Sequence, residues 1–238
     1  MTSTLLRILC IHGYYQNEKS FRERTGSLRK ILKKHAELFY ISAPLSVSQP
    51  PGSVLKTEQT DQEPECLTND AQGDDPRAWW FSSPQEDSFD AMEHSDSCKG
   101  LESSLETIAK AMTEQGPFHG ILGFSQGAAL VAIVCALKQQ GDLRFQFDFA
   151  MLFAGFKSLS SCHSLYYEKP ISVPTLLVFG ETDRVIPAAM SEELVPHFVD
   201  PVVLRHQLGH FVPTGAAQKK VYIEFLEKFL KKEASVHG

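Results

Sequence analysis

The chain has 238 residues, 42% of them hydrophobic, and a formal net charge of −6; it can bury one large core, and α/β domains of this length commonly form a single unit. The acidic balance excludes a general nucleic-acid or anionic-membrane surface, since either calls for a basic patch. The charge is also uneven: residues 44–98 hold twelve acidic and two basic side chains, a local balance of −10 that leaves +4 elsewhere.

The apolar run 5–11 contains Arg7, is too short for a secretory signal core, and reads as a strand ending at His12-Gly13-Tyr14-Tyr15. Ser20-Phe21-Arg22-Glu23 offers a capping box for a helix with the buried stripe Leu28, Ile31 and Leu32. Arg29, Lys30, Lys33 and Lys34 form its solvated face. Residues 38–42 give a second strand, and this early alternation predicts a parallel sheet covered on both faces.

The pattern then breaks. Acids, amides and prolines dominate 50–76 without one aromatic residue, a composition that predicts a mobile loop. Residues 44–98 are therefore expected to be an acidic, lid-like insertion within one domain spanning 1–238. Arg77-Ala78-Trp79-Trp80-Phe81 follows and contains both tryptophans of the chain. Rings concentrated in a polar insertion need an apolar partner. Trp79, Trp80 and Phe81 either anchor the insertion on the body or line an acyl pocket under a lid, and different rings can differ in role.

Residues 100–115 set Leu101, Leu105, Ile108 and Met112 at helical spacing. After the breaker Gly116-Pro117, a short apolar run from His119 to Leu122 leads into Gly123-Phe124-Ser125-Gln126-Gly127. Residues 128–137 behind it carry no charge, so that helix is expected to be buried all round. Strand, pentapeptide and helix read as a nucleophile elbow. A serine hydroxyl attacks at neutral pH only when held beside a base, and a sharp strand-to-helix turn presents it there. Gly123 and Gly127 permit close backbone approach while Ser125 takes up a strained conformation.

Further on, 147–153 and 175–179 read as interior strands, 187–198 as a helix and 202–204 as a last short strand. Tyr222, Phe225, Leu226, Phe229 and Leu230 stripe the final helix. An elbow of this type calls for an acid and then a histidine on later loops. Gly180-Glu181-Thr182-Asp183 follows one strand, and Gly209-His210-Phe211 precedes the final helix. Asp183 is the expected acid, with Glu181 as runner-up. His210 is the expected base, while His206, at a strand end, is a structural or surface histidine. His210 would take the Ser125 proton and return it to the leaving group, with Asp183 fixing the tautomer. The backbone N–H groups of Gln126 and Tyr14 are the expected oxyanion donors, and only their backbone is required. His12 is expected to pack against or hydrogen-bond that loop rather than act as a second base.

Five cysteines make an odd count with no C-x-x-C pair and no histidine spacing that suggests zinc. Cys10 and Cys135 lie in apolar runs and read as reduced core thiols. No run is long enough to span a membrane, and the expected setting is a reducing compartment, the cytoplasm by default.

Cys10-Ile11-His12-Gly13-Tyr14 with Gln16-Asn17, the Arg77 to Phe81 block, the elbow with Ala128-Ala129, Gly180-Glu181-Thr182-Asp183 and Gly209-His210-Phe211 together resemble the eukaryotic FSH family of serine hydrolases. The resemblance spans nearly the whole chain, and only 50–76 match loosely. It implies an α/β-hydrolase with a mostly parallel central sheet and helices on both faces. It also implies a cofactor-free carboxylesterase favouring long alkyl chains, with Ser125, Asp183 and His210 in the triad positions and a small or lipid-like ester as partner. Two other readings use the same residues: an acyl thioesterase acting on acyl-protein or acyl-CoA, and a ligand-binding protein that keeps the fold without turnover.

Overall fold

The structure is a computed structural model that describes residues 5–48 and 75–236. The mobile loop expected at 50–76 therefore lies, except for its last two residues, outside the described residues.

Six strands form one sheet: β1 (Leu6–Ile11), β2 (Ala36–Ile41), β5 (Gly120–Phe124), β6 (Phe149–Phe153), β7 (Thr175–Gly180) and β8 (Val202–His206). Their order is β2-β1-β5-β6-β7-β8 and every neighbouring pair is parallel. The interior strands β5, β6 and β7 are buried at every residue, which is why they read as continuous apolar runs rather than alternating ones.

Period-two alternation divides their side chains between two cores. Leu9, Ile11, Ile121, Leu152 and Leu177 face one side, where they meet α3 (Leu101–Gln115), α4 (Gln126–Gln139) and α5 (Ala188–Leu194). Ile8, Leu122, Met151, Phe153 and Val178 face the other, against α2 (Gly26–Leu32) and α6 (Ala216–Val236). Tyr222, Phe225 and Leu226 are the buried stripe of α6, as their spacing predicts. Helix α4 is buried from Gln126 to Ala136, in keeping with its lack of a polar face.

The entry to α1 (Glu18–Arg24) differs from expectation. Its capping box is Asn17 with Ser20, three residues before the one read from Ser20 and Glu23. Asn17 Oδ1 accepts from Ser20 N at 2.9 Å, and Ser20 Oγ accepts from Asn17 N at 3.0 Å. The single expected helix is also broken. Thr25 turns its hydroxyl back to Phe21 O at 2.7 Å, and a new helix, α2, starts at Gly26. Within the 44–98 segment, an antiparallel ladder of β3 (Leu45–Ser46) on β4 (Arg77–Ala78) ties its start to its middle.

The chain runs from β1 outward to β2 and then back across to β5, so β1 and β5 diverge in connectivity. A crevice forms outside the carboxyl ends of such strands, and this is where the loop after Ile11 and the turn after Phe124 meet.

Candidate functional site

Strand β5 ends at Phe124 and α4 begins at Gln126, leaving Ser125 alone in the turn at φ 54°, ψ −120°. This conformation is costly for a residue with a Cβ, and tight packing maintains it. Ser125 N donates to Phe153 O at 2.9 Å, tying the turn to β6. A Cβ built on Gly127 would lie 2.3 Å from His12 O and 2.4 Å from Ile11 O, and one on Gly123 would lie 2.5 Å from Gly127 O. Both positions thus exclude any side chain, because backbone rather than a flexible side chain occupies the space. Ser125 does not stand in open solvent: it is 7% exposed, with the 12–16 loop beside it.

Two loops supply the partner groups. His210 Nδ1 and Asp183 Oδ2 are 2.7 Å apart, while Asp183 Oδ1 accepts from Val185 N at 2.8 Å and Ile186 N at 2.9 Å. The Asp183 carboxylate is almost wholly buried and is held by these three bonds, so it acts as an acceptor toward the imidazole. That arrangement puts the proton on Nδ1 and leaves Nε2 with a lone pair. The His210 ring lies against Phe124, the residue before Ser125, with ring centroids 4.8 Å apart.

Glu181 takes no part in this pairing; it is exposed and accepts from Gln207 Nε2. His206 is buried behind the 181–186 loop, and its Nδ1 accepts from Leu208 N at 3.3 Å. Burial lowers its pKa, against the opposing pull of Asp183 and Glu181.

In the 12–16 loop, Gly13 N donates to Gln16 Oε1 at 2.9 Å, Gln16 N to Gly13 O at 3.3 Å and Tyr15 N to Arg77 O at 2.9 Å. The Tyr14 N–H has no hydrogen-bond partner among the described residues. Gln126 N, at the first position of α4, is likewise one of the N–H groups that a helix leaves without an internal acceptor. His12 braces the loop from below. Ala43 N donates to its Nε2 at 2.9 Å, so the proton sits on Nδ1 and is donated to Gly13 O at 2.7 Å.

Burial holds the His12 pKa down to about 4; the bond to Gly13 opposes this and the Arg77 charge adds to it. Since the ordinary value is 6.5, the unfolded chain takes up this proton first on acidification. Stability from His12 is therefore complete above pH 6.5 and is lost as pH falls toward 4. By pH 5 the loss is roughly 2 kcal/mol relative to neutral pH. Urea unfolding at both pH values should show this loss in the wild type and a shallower dependence in His12→Gln; identical slopes would refute it.

The side chain of Gln126, for which the sequence suggests only a backbone role, joins the Ser125 turn to the Trp79-Trp80 segment. Gln126 Oε1 accepts from Trp79 N at 2.9 Å, and Gln126 Nε2 donates to Trp80 O at 2.8 Å. Trp79 is fully buried; its indole N–H donates to His12 O at 2.8 Å, and its ring lies 5.0 Å from that of His12. Trp80, also fully buried, meets Phe89 at 5.2 Å and His163 at 5.4 Å. Phe81 packs with Val47 and Ala78 in a small separate cluster beside Tyr14, Tyr15 and Leu45. Phe89, which lacks any sequence motif, bridges Trp80, Tyr14 at 5.4 Å and Phe156 at 6.2 Å.

Cys10 and Cys135 are free and buried, and burial pushes both thiols up. Among the described residues, the one group of three side chains close enough to share a metal ion is Cys98, Cys162 and His163, next to Trp80 rather than at Ser125. No helix among them is long and apolar enough to cross a membrane.

The family described as "Serine hydrolase (FSH1)" matches residues 1–222. "Esterase OVCA2" of Xenopus tropicalis is 61% identical over 226 residues, covering 95% of this chain and 94% of that protein. The Homo sapiens protein of the same name is 44% identical over 228 residues, covering 94% and 96%. Among solved structures, Arabidopsis thaliana SOBER1 aligns with a TM-score of 0.60 at 14% identity, covering 94% of this chain and 99% of that one. Zea mays acyl-protein thioesterase 2 aligns at 0.58 and 17% identity, covering 94% and 95%. Those two likenesses establish the α/β-hydrolase fold alone. With the family match extending over most of its length and these relatives covered almost end to end, the chain belongs to the FSH1 family of serine hydrolases.

Proposed function

We propose that this serine hydrolase is a carboxylesterase that works through an acyl-enzyme on Ser125. The observation that carries this reading is the linked set of Ser125 in its strained turn, His210 against Phe124, and Asp183 bonded to His210 Nδ1. Ser125 Oγ attacks the ester carbonyl and passes its proton to His210 Nε2, while the charge developing on the carbonyl oxygen is met by Tyr14 N–H and Gln126 N–H. The leaving alcohol then takes the proton from His210. Water repeats the sequence to release the acid, and Asp183 stabilises the imidazolium in both halves.

A long-chain alkyl ester is the proposed substrate. Support comes from the aromatic strip of Tyr14, Phe89, Trp80 and Phe156, which starts at the oxyanion loop, and from the exposed Val185, Leu208 and Phe211 beside the acid and the base. Their chemistry suits a hydrocarbon tail. Trp79, hydrogen-bonded at both its backbone and its indole, is read as an anchor of the insertion. The odd cysteine count and the free thiols support a cytoplasmic setting.

A fluorophosphonate probe should label the wild type and spare Ser125→Ala. In a series of matched oxygen and thiol esters of rising chain length, kcat/KM should rise with length and favour oxygen esters. Phe89→Ala should then cost roughly tenfold on long esters and far less on acetate. Equal labelling of both proteins would sink the acyl-enzyme. A clear preference for thiol esters would replace esterase by thioesterase, and a uniform loss in Phe89→Ala would remove the strip from substrate binding.

A further inference from the structure

Away from Ser125, two cysteines and a histidine converge from distant parts of the chain. Cys98 precedes α3, on the arm by which the insertion returns to the body. Cys162 and His163 lie in the short helical turn Ser161–Tyr167. Their ligand atoms, two Sγ and a ring nitrogen, all lie within 4.8 Å of one another. The cysteines do not create this proximity. Ser161 N donates to Ser95 O at 2.8 Å, and Ser161 Oγ donates to Asp96 Oδ1 at 2.9 Å, so the two segments are already bonded on one side of the cluster.

The histidine provides the second, independent sign. His163 is fully buried, and Ser158 Oγ lies 2.7 Å from its Nδ1. Nε2 has no hydrogen-bond partner among the described residues. A buried imidazole nitrogen left unpaired is uncommon. When Nδ1–H donates to the serine oxygen, Nε2 carries a lone pair, which is the tautomer and outer hydrogen bond that metal-ligating histidines require. Trp80, edge-on at 5.4 Å, holds the ring in place. Both thiols are partly exposed and can be reached from solvent.

We propose that Cys98, Cys162 and His163 bind a thiolate-preferring divalent cation, Zn²⁺ foremost. Two sulfurs and one imidazole suit that ion, whose bonds of about 2.3 Å to sulfur and about 2.0–2.1 Å to nitrogen need only small rotations of the partly exposed cysteines. The fourth position goes to water. Binding releases the two thiol protons, so affinity rises with pH. The ion fastens the returning arm of the insertion to the 161–167 turn, beside Trp80, and the hydrolytic residues take no part in holding it.

The test uses the reduced full-length protein after chelator treatment, titrated with Co²⁺. One equivalent should bind with a near-ultraviolet sulfur-to-cobalt charge-transfer band that Zn²⁺ abolishes. Zn²⁺ at a hundredfold excess over its Kd should raise Tm by roughly 5–10 °C. Cys98→Ser, at a partly exposed position, should fold normally and lose about half of the band. Ser158→Ala should weaken affinity by about tenfold or more through the loss of a positioning residue. Absence of a thiolate band, or a band unaltered in Cys98→Ser, would overturn the proposal. So would a Cys98–Cys162 disulfide formed in air by a protein that binds no Co²⁺ when reduced.

Discussion

Ser125→Ala is expected to lower kcat on a simple chromogenic ester by about 10⁵- to 10⁶-fold while leaving the fold intact. In the proposed mechanism the hydroxyl oxygen forms the bond to the acyl group, and its removal clears no core space, because Ser125 occupies a turn between β5 and α4. His210→Ala should cost about as much, and the double variant little more, since the proposed mechanism has the two groups act as one unit. Asp183→Asn should fall by about 10⁴-fold, because an amide at the 2.7 Å contact can no longer enforce the Nδ1–H tautomer. Glu181→Gln, at an exposed carboxylate bonded to Gln207, should change kcat by less than about threefold. Steady-state kinetics of these five variants, with circular dichroism as a control for folding, would check the assignment. A large effect of Glu181→Gln with a small one of Asp183→Asn would reverse the choice of acid, and near-wild-type turnover in Ser125→Ala would abolish the mechanism.

Gln126→Ala is expected to destabilise the protein by roughly 2–6 kcal/mol. The amide is fully buried and serves two backbone groups, Trp79 N–H and Trp80 C=O, and each would be left unsatisfied at about 1–3 kcal/mol. Against a typical total stability of about 5–15 kcal/mol this is a large fraction. Gln126→Glu separates the two bonds: the carboxylate still accepts from Trp79 N but cannot donate to Trp80 O, and it buries a charge. Urea unfolding followed by tryptophan fluorescence reads both, since each tryptophan of the chain lies at this junction. A loss below about 1 kcal/mol for Gln126→Ala would mean that water replaces the amide and that the insertion is held elsewhere. The backbone N–H of residue 126 survives the substitution, so the variant that remains folded should keep its hydrolytic rate within about tenfold.

The motifs with short-range causes were legible in the sequence. Residues 120–124 and 176–180 are apolar without a break because parallel interior strands are covered on both faces. The charge-free start of α4 marked a buried helix for the same reason. Gly123 and Gly127 could be singled out because close backbone approach leaves a glycine-only signature, and at both positions the neighbouring atoms are indeed backbone. The helix starts at Glu18 rather than after Ser20 because Asn17 and Ser20 compete for the same capping geometry, and local pattern alone does not rank them.

Other features depend on groups far apart in the chain. The preference of His210 for Asp183 over Glu181 follows from how the 181–186 loop turns its backbone N–H groups onto one carboxylate, which chain order does not encode. The Gln126 amide looks like any helix-start glutamine until β4 and its flanking residues bring Trp79 and Trp80 against it. Cys98 and the Cys162-His163 pair carry no metal-like spacing, since their closeness is created by the packing of the returning insertion on the 161–167 turn. Hydrophobic periodicity and glycine sterics act over a few residues, so the primary structure alone establishes the sheet, the strained serine turn and the order of serine, acid and histidine. Side-chain pairing across the core is set by which loops the sheet brings to one edge, and so the acid partner, the glutamine clamp and the thiol cluster emerge only when the chain is folded.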